Sequence, residues 1–130
     1  MRRSPDDPLY PGIWQFVTGT MGDGETALAA ALRELKEETG RVPGSFWVVP
    51  FVNSFYDHVH DAVNHCPFFA AEFLAEEEHT LSPEHVAYEW LPLDQATRRL
   101  VWPGQRQGLA IVHDWIVQAK DGGELARIRV

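Results

Sequence analysis

Within the short stretch 25–38 fall Glu25, Arg33, Glu34, Glu37 and Glu38, with Gly19 just upstream. At about 100° per residue, Leu28, Ala31, Leu32 and Leu35 make one apolar stripe of a helix, and Glu34, Glu37 and Glu38 line its edge. Glu34 and Glu38 are an i,i+4 pair of like charges, costing about 0.2–0.5 kcal/mol in an isolated helix, and acids near a helix C-terminus also oppose its dipole. Two arrangements offset that cost. In one, the face is solvated, with Arg33 pairing Glu37, and Arg41 pairing Glu37 or Glu38. In the other, the carboxylates hold a hard divalent cation, magnesium or alternatively manganese, which binds through a few carboxylates, water and substrate phosphates. Such an ion neutralises bound phosphate and activates water, while a carboxylate can take the water's proton.

The surrounding elements must hold this helix. "DGE" turns the chain, Thr26 is placed to cap a helix over 27–39, and Gly40 ends it. "WQFVTG" at 14–19 reads as a short strand, preceded by a proline-rich loop over 1–13. The aromatic and β-branched runs at 45–57 and 64–76 read as strands flanking the loop "DHVHDAV". "AYEWL" reads as a further short strand before a helix capped by Asp94. After Pro103 and Gly104, a last helix carries Leu109, Val112, Trp115, Ile116 and Ala119 on one face. Strands interleaved with three helices predict an α/β (α+β) sandwich with a mixed sheet.

With 130 residues, 45% of them hydrophobic, the chain fits a single domain over 1–130. A net charge of -8 argues against a nucleic-acid polymer or an anionic membrane as partner. The single cysteine, Cys66, excludes an intramolecular disulfide, and no signal segment or long apolar run is present. A cytoplasmic setting is the expectation.

Gly19, five residues, Glu25, seven residues, then Arg33-Glu34-Leu35-Lys36-Glu37-Glu38-Thr39-Gly40 resembles the Nudix box, G-x5-E-x7-R-E-U-x-E-E-x-G-U, where U is a bulky aliphatic residue. Every charged and glycine position agrees, and Arg41 departs from the final aliphatic one. The resemblance implies an α/β/α sandwich and a divalent-metal-dependent hydrolase of nucleoside diphosphate derivatives. It places Glu34, Glu37 and Glu38 at metal-ligand positions, with Glu37 and Glu38 also candidates for the catalytic base. Glu25 and Arg33 match positions that support the loop and orient the ligands, and Gly19 one that supplies a carbonyl or a tight turn by the metal. "EHVAYEWL" extends the likeness and marks Glu84 as a further ligand or general base. The surroundings look closest to the deoxyadenosine and dihydroneopterin triphosphate pyrophosphatases. A dinucleoside polyphosphate hydrolase and a non-catalytic nucleotide-binding module are the alternatives.

His58, His60 and His65 lack a zinc-type ligand pattern and read as a polar loop. Trp14, Phe16, Phe55 and Tyr56 are candidates for base stacking, though strand aromatics more often serve the core. Cys66 reads as a small buried hydrophobe. Family members usually carry a long strand before the "W..P.G" element, so the first strand is expected to be truncated. That predicts an open sheet edge and a homodimer covering it.

Overall fold

The computed structural model describes residues 1–6, 12–73, 85–118 and 120–128. Its dominant feature is a long antiparallel hairpin, β2 (Ser45–Asp57) with β3 (Ala62–Glu72), paired from Ser45 opposite Glu72 to Asp57 opposite Ala62. The ladder is interrupted once: Val49 faces Phe68 and Val52 faces Pro67, leaving Pro50 and Phe51 without a counterpart on β3. A proline cannot donate to a ladder, and a bulge is where a sheet tolerates it. At the tip, the Asp57 carboxylate accepts from the amides of Val59 (2.9 Å) and His60 (3.3 Å), so β3 starts at Ala62, two residues before the expected position.

Helix α1 spans Ala27–Thr39, as its caps dictate. The Thr26 hydroxyl accepts from the Ala29 amide at 3.1 Å, and Gly40, left-handed at φ 72°, donates its amide to the Lys36 carbonyl at 2.8 Å. Residues 14–19, expected as a strand, form only an isolated bridge between Trp14 and Arg2. Their partner is too short to build a ladder. The N-terminal residues, expected as loop, contain strand β1 (Arg2–Arg3), which pairs antiparallel with β4 (His85–Ala87). Because β1 is two residues long, β4 stops at Ala87 and the expected strand "AYEWL" does not extend beyond it.

Helix α2 covers Leu93–Arg99. It is preceded by Pro92, so Asp94 lies in its first turn and meets Arg98 at 3.5 Å, in place of the expected cap. The expected last helix is divided into α3 (Pro103–Ile111), a π-helical turn over Val112–Val117 and α4 (Lys120–Ala126). Leu109, Val112, Trp115 and Ile116 are half-buried along it; Ala119 lies outside the described residues. Strand β5 (Arg127–Ile128) pairs with Phe46 and Trp47. The class is α/β, as the sequence predicts, and every strand pair among the described residues is antiparallel.

The buried apolar residues among those described are Ala30 on α1, Phe46 and Val49 on β2 and Leu100 after α2, and α3 packs on the hairpin beside them. Phe68 receives the rings of Phe16 (5.9 Å) and Phe51 (5.2 Å) edge-on. A β-carbon on Gly108 would lie 2.0 Å from the Phe68 ring, and one on Gly104 2.1 Å from the Asn53 side chain. These two glycines let α3 seat directly on the sheet. Gln105, buried between them in sequence, accepts the Phe16 amide at 3.1 Å and ties residues 14–19 to the same helix.

Candidate functional site

The loop from Gly19 to Glu25 returns onto α1 through a single arginine. Arg33 engages the Glu25 carboxylate with both prongs, Nε to Oε2 at 2.8 Å and Nη2 to Oε1 at 2.9 Å. Nη2 also donates to the Thr20 carbonyl at 2.9 Å. The remaining nitrogen, Nη1, donates to Glu34 Oε1 at 2.9 Å and to Glu37 Oε2 at 3.2 Å. Glu25 in turn closes its own loop, accepting the Gly22 amide at 2.8 Å, and Gly24 turns the chain at φ 72°.

Charge-assisted, bidentate contacts of this kind are the strong hydrogen bonds of proteins. The Arg33 guanidinium, then the Gly22 amide, hold the Glu25 carboxyl down at about 2, and the carboxylates of Glu25, then Glu34, raise the Arg33 pKa. Glu34 and Glu37 thus each meet a cation from their own helix. The pairing of Arg33 with Glu37 foreseen from spacing is present. Arg41 stacks its guanidinium 4.5 Å from the centre of the Phe73 ring.

The helix buries a different face from the one its aliphatic residues predict. Leu28, Ala31, Leu32 and Leu35 are half-buried, whereas Ala30, Glu38 and Thr39 are buried, Glu38 at 4% exposure. Thr39 donates its hydroxyl to the Leu35 carbonyl at 2.6 Å. Glu37 remains exposed and Glu34 lies between these extremes.

Gly19 explains the position of Glu34. A β-carbon there would fall 2.2 Å from Cγ and Cδ of Glu34 and 2.7 Å from its Oε1, so the carboxylate occupies the space that any side chain at position 19 would take. The glycine is required for room, since its φ lies outside the left-handed region. The donor set at this end of α1 is carboxylate and carbonyl oxygen, which suits a hard divalent ion. Among the described residues no three acidic, histidine or cysteine side chains converge as a ready-made cage. Glu25, Glu34 and Glu37 meet at Arg33 instead. Glu84 lies outside the described residues.

The hairpin histidines serve their own neighbourhood. His60 Nδ1 lies 2.7 Å from Asp57 Oδ2, and His65 Nδ1 2.7 Å from Ser54 Oγ. Phe16 is half-buried against Phe68, and Trp14 is half-buried with Arg99 5.1 Å from its ring centre. Phe55 and Tyr56 differ from the core role expected of strand aromatics: both are exposed, and Tyr56 donates to Asp61 at 2.7 Å. Cys66 is half-buried, and burial pushes its thiol pKa up. Sequence reasoning missed the Thr20 carbonyl and Gln105. A backbone acceptor leaves no trace in residue type, and a glutamine in a helix carries no mark that distinguishes a buried clamp from a solvated side chain.

Residues 1–110 match the family model of the NUDIX domain. An octanoyltransferase of Myxococcus xanthus is 33% identical over 114 residues; the match takes in 82% of this chain and 29% of the length of that protein. Among solved structures, the dihydroneopterin triphosphate pyrophosphohydrolase of E. coli superposes with a TM-score of 0.68 at 26% identity, covering 82% of this chain and 79% of that one. The MutT protein of Methanosarcina mazei Go1 gives 0.69 at 22% identity over 84% and 77%, a likeness of fold.

Proposed function

The chain belongs to the Nudix family, and from that premise we propose that it is a divalent-metal-dependent pyrophosphohydrolase acting on a nucleoside triphosphate or a related nucleoside diphosphate derivative. The observation that carries this reading is the Arg33 network, which brings Glu25, Glu34 and Glu37 together with the loop after Gly19. Glu34, Glu37 and Glu38, with the Gly19 carbonyl, are the oxygens assigned to magnesium or manganese, and Glu84 is a further ligand or base. A divalent ion bound there supplies neutralisation of the phosphoanhydride charge and lowers the pKa of water. The chain's own part is to hold the carboxylates in place and take up the proton, Glu37 or Glu38 being the assigned base.

A triphosphate on a bicyclic heterocycle is the favoured substrate class, by likeness to the E. coli pyrophosphohydrolase. A dinucleoside polyphosphate is the alternative. The reading includes a cytoplasmic setting, and no helix among the described residues is long and apolar enough to cross a membrane. The test is magnesium-dependent release of pyrophosphate or phosphate from a panel of nucleotides. Glu38→Gln, which removes charge at nearly constant volume, is expected to lower turnover at least about 10²-fold. Unchanged turnover of the variant at saturating magnesium removes Glu38 from the site.

A nucleotide-binding module without hydrolysis is the rival from another class, and binding without product release would select it. The reading includes a homodimer, with a second copy covering the outer side of β3, which among the described residues pairs with β2 alone. Light scattering at tens of micromolar should give twice the chain mass, and a monomer refutes it.

A further inference from the structure

We propose that Gln105 is a positioning residue of the Nudix site: its side-chain carbonyl fixes the chain ahead of Gly19 and, through it, the seat of Glu34. Among the described residues, 14–19 pair only through the isolated bridge between Trp14 and Arg2, so their amides need acceptors from outside a ladder. The Gln15 amide donates to the Met1 carbonyl at 2.8 Å. The next amide, that of Phe16, donates to Gln105 Oε1 at 3.1 Å, a bond between residues 89 positions apart. Gln105 lies in the first turn of α3 and is 7% exposed. A buried carboxamide is costly unless it is hydrogen-bonded, and the Phe16 donor fixes which of its two ends faces the loop.

The helix that carries Gln105 is itself tightly seated. Gly104 lies against the Asn53 side chain and Gly108 against the Phe68 ring, each too closely for a β-carbon. Phe16 also meets Phe68 edge-on at 5.9 Å, so it is gripped by both amide and ring three residues before Gly19. Just after Gly19, the Thr20 carbonyl accepts from Arg33 Nη2 at 2.9 Å. Gly19 is thus bracketed, by Gln105 of α3 on one side and by Arg33 of α1 on the other. Glu34 Cγ and Cδ fill the space beside it, 2.2 Å from where its β-carbon would stand. Backbone displaced toward α1 would push the Glu34 carboxylate aside, and backbone displaced away would leave it unsupported. Helix α3, which bears none of the acids, therefore takes part in setting their geometry.

The role of Gln105 rests on the reading of Glu34 as a metal ligand, so position and metal are measured separately. The full chain, Gln105→Met, Gln105→Glu and Arg106→Met are compared by exchange of the Phe16 amide, by the carbon resonance of the Glu34 carboxyl without metal, and by manganese(II) affinity from electron paramagnetic resonance. Methionine matches glutamine in length but offers only a weak acceptor, whereas glutamate keeps an accepting oxygen in either protonation state. Gln105→Met should exchange the Phe16 amide about tenfold faster, as loss of a hydrogen bond implies, and shift the Glu34 resonance. It should bind manganese about tenfold more weakly, the lower end of what loss of a ligand's support costs. Gln105→Glu should recover most of all three. Arg106→Met removes the 2.7 Å bond from Arg106 to the Leu100 carbonyl, on the same helix, and leaves the Phe16 contact intact. It should lower the melting temperature with Glu34 resonance and manganese affinity unchanged. If Gln105→Met does not fold, Gln105→Asn, which withdraws the amide by one methylene, replaces it with the same expectations. An unmoved Glu34 resonance in the folded variant overturns the proposal, as does an equal shift in Arg106→Met or a failure of Gln105→Glu to recover it. A full chain that binds no manganese at millimolar concentration removes the metal reading, and the Glu34 resonance alone then decides whether Gln105 positions it.

Discussion

Replacing Gly19 by alanine isolates the geometry of Glu34 from the stability of its loop. The new β-carbon would lie 2.2 Å from Glu34 Cγ and Cδ, where ordinary contact begins near 3.4 Å, so the side chain must retreat by more than an ångström. Overpacking costs about 1–3 kcal/mol in a core, and the lower end applies because Gly19 is exposed. Misplacing a positioned group by about 1 Å costs on the order of 10²-fold in rate. Gly24→Ala is the control with the opposite origin. Apart from its chain neighbours nothing lies within 4 Å of its β-carbon, but φ is +72°, so it incurs about 1–2 kcal/mol of backbone strain without entering the space of Glu34. The two variants should therefore melt at similar temperatures and differ by at least about tenfold in magnesium-dependent turnover, Gly19→Ala being the slower. Equal turnover in the two, or Gly19→Ala within about threefold of the parent, would show that Glu34 does not depend on the space at position 19.

Three further outcomes are expected of the same molecule. Glu25 has its pKa depressed from 4.5 to about 2, so its contribution to stability is complete above about pH 4.5 and is lost as pH falls toward 2; Arg33→Met should melt well below the parent at pH 7 with the gap narrowing below pH 4.5, and a constant gap would refute the link. Gly108→Ala drives a β-carbon to 2.0 Å from the Phe68 ring and should lower stability by about 1–3 kcal/mol in urea unfolding, whereas an unchanged midpoint would mean α3 does not seat on the sheet as described. Millimolar magnesium should raise the melting temperature more than sodium chloride of equal ionic strength, and less in Glu34→Gln; identical shifts from both salts would reduce the effect to screening.

The parts legible in the sequence are those fixed by local chemistry. Thr26 and Gly40 bound α1 because a capping hydroxyl and a left-handed glycine act within one turn. The β2–β3 hairpin was readable from β-branched and aromatic residues, except at Pro50 and Phe51, where the bulge depends on what β3 places opposite. Residues 14–19 have strand composition but only a two-residue partner in β1, and composition says nothing of partner length. The division of the last helix was hidden for a similar reason, since its apolar spacing continues through the π-helical turn. At the site, the spacing marked Gly19, Glu25, Glu34 and Glu37, which the structure brings against one another through Arg33 and the close fit of Glu34 on Gly19. It did not show that Gly19 is needed for the volume Glu34 fills, which is a contact between distant positions.

A helix ending in like charges is stable here because the bonds of Arg33 divide by nitrogen. Nε and Nη2 are committed to the loop, to both oxygens of Glu25 and to the Thr20 carbonyl, while Nη1 alone serves Glu34 and Glu37. The loop-to-helix clamp is therefore independent of the contacts that neutralise the acids. Loss of the Nη1 contacts would leave Gly19 and Thr20 positioned against α1, since the fork to Glu25 and the Gly22 amide that holds Glu25 are untouched. Lysine cannot replace this division: a single ammonium has no planar fork, so it would have to choose between the loop and the acids. Arg33→Lys should consequently keep the charge balance of the site yet loosen residues 19–25, detectable as faster amide exchange there. Unchanged exchange would show that charge alone, and not the two-sided geometry of the guanidinium, holds the loop to the helix.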